Sequence, residues 1–176
     1  MNAVLFGVAF HQKSLSPGQR DFYLAVVFLV AGNLLFPALC HAVGIGPVLL
    51  PIYFFTLLAA YRYGLAVGLV TAILSPMLNT ALTGMPPFAI LDVLIVKSLL
   101  LALFAARMGT WSKVSFVHVF AVVFAYQAIG GLYEILRSSS LLTLPGDLVK
   151  GWPGLLLQWL GGTLVLLYWK GKSNPS

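Results

Sequence analysis

The residues Phe88-Ala-Ile-Leu-Asp-Val-Leu-Ile-Val-Lys-Ser-Leu-Leu-Leu-Ala-Leu-Phe-Ala-Ala-Arg-Met108 decide what kind of fold this chain adopts. A helix that crosses a bilayer needs ~20 mostly apolar residues, and this run supplies that length directly after the Pro86-Pro87 turn. Five more apolar runs flank it. Charges, Pro/Gly clusters and polar turns predict spans at about 22–43, 47–60, 64–82, 88–108, 114–136 and 152–169, the second of them short. Met1 to Phe10 is apolar but too short to span, and it lacks the basic n-region and cleavage site of a signal peptide. It is expected at the interface, within an N-terminal segment covering 1–21. The expected fold class is an all-α integral membrane protein, a single domain built as a compact bundle of six transmembrane helices.

Composition demands the same solvent. Of 176 residues, 60% are hydrophobic and 8% charged, with a mean hydropathy of +0.99. A soluble domain carries about 25% charged residues, so ten basic and four acidic side chains cannot coat a globule of this size. That excludes a soluble enzyme, and the apolar content excludes a disordered chain. Cys40 has no second cysteine to pair with, which excludes a disulfide scaffold. The pI near 9.7 does not point to nucleic acid, because the basic residues are scattered singly and form no patch.

Those basic residues set the orientation, since short loops retain Lys and Arg on the cytoplasmic side. With the N-terminus inside, Lys13, Arg20, Arg62, Arg107, Lys113, Lys170 and Lys172 are cytoplasmic, and Arg137 and Lys150 are outside. Both termini are therefore expected in the cytoplasm, with external loops at about 42–47, 83–87 and 137–151. The last of these is long enough to act as a lid. Small residues that let helices approach in lipid occur as Gly64 and Gly68, Ala102 and Ala106, Ala121 and Ala125, Gly130-Gly131 and Gly161-Gly162. Most are read as contacts within the bundle.

An ionisable side chain at the bilayer centre costs at least ~2.5 kcal/mol and marks a functional site by default. Lys97 lies near the middle of the fourth span, with Asp92 roughly 7.5 Å closer to the outside and Glu134 near the outer end of the fifth. Together with Asn33, Asn79, Gln127, His118 and Gln158 they are expected to line a polar cavity open to the outside. Lys97 is read as functional, whereas Asp92 and Glu134 stand equally well in the headgroup region. Five residues turn Asp92 and Lys97 about 140° apart on a helix, so Lys97 needs another partner, either Glu134 or a bound anionic group. The third span ends with Pro76, which frees a backbone carbonyl, and with Asn79 and Thr83 on one face. This is either the floor of a small-molecule site or a capped, kinked helix end.

Other chemistries fall away. Cys40-His41 offers two ligands where zinc takes three or four. Gly44-Ile-Gly46 lacks the third glycine of a nucleotide fingerprint, and the chain has no P-loop. No catalytic arrangement, metal site or cofactor motif stands out.

The segments Gly46-Pro-Val-Leu-Leu-Pro-Ile52, Leu57-Leu-Ala-Ala60, Tyr63-Gly-Leu-Ala-Val-Gly-Leu69, Ser75-Pro76 and, most specifically, Leu82-Thr-Gly-Met-Pro-Pro87 resemble the substrate-binding S component of energy-coupling factor (ECF) transporters. The resemblance covers about residues 41–106. It implies a six-helix bundle with cytoplasmic termini in a prokaryotic cytoplasmic membrane, which binds a vitamin or related small polar micronutrient from outside. It also implies partners: a transmembrane T component and a pair of cytoplasmic ATPases. Carried across by position, the substrate would meet His41, Gly46, Asn79, Thr83, Gly84, Met85, Pro86, Lys97, Gln127, Glu134 and Gln158, to which the buried-charge argument adds Asp92. Two departures stand out. The family's Ala-x-x-x-Ala docking pair in mid-helix 1 is represented only by Ala38 and Ala42 near the outer end, and Tyr53 stands where related chains often place a histidine. Two alternatives remain, an integral membrane enzyme acting on a lipid-linked substrate and an assembly subunit without a ligand.

Overall fold

The computed structural model describes residues 7–44, 51–111, 113–138 and 149–171. Gly, Pro and Ser set the ends of its helices. Helix α1 (Arg20–Ala42) is followed by a 3-10 turn, Pro51–Tyr53, that leads into the short α2 (Phe54–Tyr63). Gly64, at φ +88°, ends α2 and starts α3 (Leu65–Thr83) in a single residue, a conformation open to glycine and strained for others. Gly84 closes α3 in the left-handed region. A 3-10 turn, Phe88–Ile90, precedes α4 (Leu91–Gly109). Ser115 caps α5 (Phe116–Arg137), its Oγ accepting the His118 N–H at 3.2 Å. Helix α6 (Trp152–Leu156), a π-helical turn (Leu157–Gly161) and α7 (Gly162–Gly171) run on without a break.

Four helical segments are long and apolar enough to cross a membrane, Arg20–Ala42, Leu65–Thr83, Phe88–Gly109 and Phe116–Arg137. Each lies within two residues of the span expected from the sequence. The other two expected spans differ. Helix α2 has ten residues, about 15 Å of axis against the ~30 Å of hydrocarbon. The sixth run is continuously helical from Trp152 to Gly171 but changes to a π-helical turn at Leu157–Gly161. Expected positions 45–50, most of the 137–151 loop and the C-terminal tail lie outside the described residues.

Helix α2 lies at the centre of the described bundle. Thr56 through Tyr61 are all buried, covering every side of the helix, which is the pattern of an element surrounded by others. It packs on α1, α3, α4 and α7, while α5 closes against α4. Glycines allow this approach. A Cβ on Gly32 would stand 2.7 Å from the Phe55 ring, one on Gly68 2.5 Å from Ala60 Cβ, and one on Gly162 2.7 Å from Leu57 Cδ2. Gly68 and Gly162 thus serve intramolecular packing, as expected.

The bundle is apolar outside and polar within. Leu24, Val27, Phe28, Leu35 and Leu39 form an exposed stripe on α1, and Phe120, Phe124 and Leu132 one on α5. Meanwhile Asn33, Thr56, Ser75, Asn79, Lys97, Gln127 and Gln158 are buried. In water this distribution would be an aggregation surface, whereas in lipid it is the stable one.

One end is sealed by the N-terminal segment. Strand β1 (Val8–Ala9) pairs antiparallel with β2 (Lys113–Val114), a small departure from an all-α fold. Phe10 is buried edge-on to Tyr61, beneath the Arg62 guanidinium. The Gln12 amide nitrogen lies 3.1 Å from the carbonyls of Ala60, Tyr61 and Ala106 and shares its two N–H donors among these helix-end oxygens of α2 and α4. Lys13, Arg20, Arg62, Arg107 and Lys113 gather at this end, so the residues assigned to one side by charge do share one end of the bundle.

Midway along α1, Pro37 has no N–H to give the carbonyl of Asn33. Asn79 of α3 supplies the bond, its Nδ2 donating to Asn33 O at 2.8 Å. The Asn33 side chain in turn donates to Thr56 Oγ1 and Ser75 Oγ, each at 3.0 Å, and accepts the Phe55 N–H at 3.2 Å, tying α1, α2 and α3 at one point. Leaving a buried acceptor unmet costs ~1–3 kcal/mol, so Asn79→Ala is expected to lower the thermal midpoint in detergent. Pro37→Ala restores the missing N–H, and in that background the Asn79→Ala loss should shrink by about half. Equal losses in both backgrounds would show that the carbonyl of Asn33 is not what Asn79 serves.

Candidate functional site

Helices α4 and α5 lie side by side, and their ionisable residues descend from the end opposite the N-terminal seal into the bundle. At the rim, Asp92 in the first turn of α4 faces Arg137 in the last turn of α5, with side chains 43% and 45% exposed. The Arg137 Nε donates to Asp92 Oδ2, its Nη2 donates to the Ala89 carbonyl at 2.9 Å, and Tyr133 adds a 3.3 Å bond to the same carboxylate oxygen. One to two turns deeper, Lys97 Nζ donates to Glu134 Oε2 at 2.5 Å. Glu134 is 27% exposed and Lys97 only 2%.

Lys97 reaches this depth because α5 makes room for it. Gln127, Gly130 and Glu134 recur at three- and four-residue intervals and so share one face. A Cβ at Gly130 would stand 2.6 Å from Lys97 Cγ, so the glycine leaves the slot in which the lysine stem lies. Glu134, one of the two partners expected for Lys97, meets it here.

Across the core, Tyr126 OH donates to Gln158 Oε1 at 2.8 Å, and the Tyr126 ring lies 5.7 Å from that of Tyr53. Gln158 is fully buried on the π-helical turn, and its Nε2 has no hydrogen-bond partner among the described residues. A buried amide donor without an acceptor is costly, and π-helical turns recur at functional sites. An acceptor brought by a ligand would satisfy it.

The remaining expected residues separate from this cluster. Asn79 is committed to the Asn33 carbonyl and to Ser75 O at 2.9 Å. Thr83 Oγ1 donates to Asn79 O at 2.7 Å, lies 3.1 Å from Met85 O and accepts the Met85 N–H, while Thr80 Oγ1 donates to Pro86 O across the cis Met85-Pro86 bond. With Gly84 in the left-handed region, this segment has the geometry of a capped helix end. His41 is exposed in the last turn of α1 while Cys40 is buried, so the two adjacent side chains face apart. Gly46 lies outside the described residues. His118 does not join the cavity-lining set. It sits in the first turn of α5 at the basic end, its Nδ1 2.7 Å from Ser115 Oγ, because α5 runs from that end to the rim. Tyr53, Tyr126, Tyr133 and Arg137 were not among the expected site residues. For the tyrosines the signal was a phenol inside an apolar run; for Arg137 it was the carboxylate Asp92, which also lacked a partner on its own helix.

The chain matches no known family model, no curated protein and no solved structure.

Removing one member of a buried ion pair strands the other, and the two members here differ in their access to water. Glu134→Gln should destabilise the protein more than Lys97→Met, because the lysine is sealed while Glu134 reaches the rim. The double variant Lys97→Met with Glu134→Gln should recover most of the stability lost in Glu134→Gln. Thermal unfolding of the four proteins in one detergent reads the order, and the reverse order would contradict the burial difference.

Proposed function

We propose that the protein is the substrate-capture subunit of an ECF-type importer. It takes up a vitamin or related small polar micronutrient from the extracytoplasmic side and delivers it inward with a transmembrane T component and a pair of ATPases. In this reading the chain crosses a prokaryotic cytoplasmic membrane six times, with α2 as a short central element and both termini in the cytoplasm, and it binds its ligand without transforming it. The observation that carries the proposal is the Lys97–Glu134 pair, buried between α4 and α5 below the rim that the N-terminal segment leaves uncovered. A buried cation with a partly exposed carboxylate is suited to a ligand carrying charged or zwitterionic groups, since each end of the pair can be exchanged for a ligand group without stranding a charge. Tyr53, Tyr126 and Gln158 add aromatic surface and one unused donor. The residue pattern ending in Leu82-Thr-Gly-Met-Pro-Pro87 supports the family assignment.

Mass spectrometry of small molecules retained through gentle purification should find such a compound, with T-component and ATPase subunits recovered from the native membrane. Lys97→Ala should weaken its binding by tenfold or more, and Gly130→Ala, which displaces the Lys97 stem, should weaken it to a lesser degree. Unchanged affinity in Lys97→Ala removes Lys97 from the site.

A further inference from the structure

The outer surface between α4 and α5 carries a second feature, at the basic end and away from the ion pairs. Phe104 and Met108 of α4 and Ala121, Val122 and Ala125 of α5 line an apolar groove of about 210 Å³, with Arg107 and Trp111 completing it toward the end of α4. Ala121 is exposed. The Ala121/Ala125 pair therefore does not bring α4 and α5 together there; its methyl groups leave depth that larger side chains would fill. From Phe104 to Trp111 the groove follows seven residues of chain, about 10 Å.

Its chemistry is divided along that length. The inner part is apolar and opens onto the lipid-facing side of the bundle. The outer part has Arg107, whose Nη1 donates to Thr110 Oγ1 at 3.1 Å while the Thr110 hydroxyl donates back to the Arg107 carbonyl at 2.7 Å. Among the described residues this engages one of its five N–H donors. The carboxylates among the described residues are committed elsewhere, Asp21 to Lys13, Asp92 to Arg137 and Glu134 to Lys97. The end of the bundle that holds Lys13, Arg20, Arg62, Arg107 and Lys113 has Asp21 as its one described acid, so its field favours anions. Trp111, 56% exposed, has the amphipathic ring typical of the headgroup level.

We propose that this groove binds an anionic phospholipid, with an acyl chain against Ala121, Ala125 and Phe104 and the phosphate on the Arg107 guanidinium. An apolar slot ended by a cation that no described carboxylate meets is complementary to such a lipid, whose tail and charge are separated in the same sense. The site is independent of ligand capture at Lys97.

Native mass spectrometry of the delipidated full chain, titrated with phosphatidylglycerol or phosphatidylcholine of the same acyl composition, tests it. The wild-type protein is expected to retain phosphatidylglycerol in preference, and Arg107→Gln to reduce that preference about fivefold, the effect of one surface cation. Ala121→Leu, at an exposed position, should fill the groove and lower retention of both lipids, while its thermal midpoint stays at the wild-type value. Equal retention of the two lipids by the wild type overturns the proposal. So does a preference that survives Arg107→Gln, or retention that Ala121→Leu leaves unchanged.

Discussion

Hydrocarbon supplies no hydrogen-bond partner, so a polar group placed inside a membrane bundle must be met by the bundle itself. The architecture follows from how this chain meets that requirement. Pro37 opens the ladder of α1 at the Asn33 carbonyl, and Asn79 of α3 closes it from a neighbouring helix. Gln12 performs the same service for three carbonyls where α2 and α4 end. These bonds join elements far apart in sequence, which makes the N-terminal segment and the α1–α3 contact parts of the fold rather than attachments to it. They also serve α2 in its central position: carbonyls at its C-terminal end meet the N-terminal segment, and its Thr56 hydroxyl meets Asn33 of α1.

The two ends of the bundle are consequently unlike. At the basic end β1, β2, Phe10 and Gln12 pack the helix ends shut. At the other, the ion pairs form a graded series, half-exposed at Asp92 and Arg137 and sealed at Lys97. Gly130 is what permits the innermost step, since any side chain there would occupy the volume of the lysine stem.

Small residues have two opposite uses in this protein. Gly32, Gly68 and Gly162 lie where another element presses against the backbone. Ala121 and Ala125 lie where nothing does, and the same shortness that elsewhere brings helices together leaves an open groove on the α4–α5 face. Spacing alone does not separate these uses, because Gly64/Gly68 and Ala121/Ala125 have the same four-residue interval.

The sequence by itself determined the solvent, the helical class, the limits of four long helices to within two residues, and the gathering of the basic residues at one end. Each depends on local composition and on charge counted along the chain. It also singled out Lys97 and named Glu134 as one of its two possible partners, because a cation in an apolar run must be answered by one of very few acids. Only the tertiary structure decided that α2 is the central element, that Asn79 serves the Asn33 carbonyl, that His118 lies at the opposite end from the charge series, and that Tyr126 meets Gln158. Those facts concern which faces of different helices meet. In a chain whose helices are apolar on nearly every side, periodicity does not mark the inward face, so the partner of each polar group is fixed by packing and not by its neighbours in sequence.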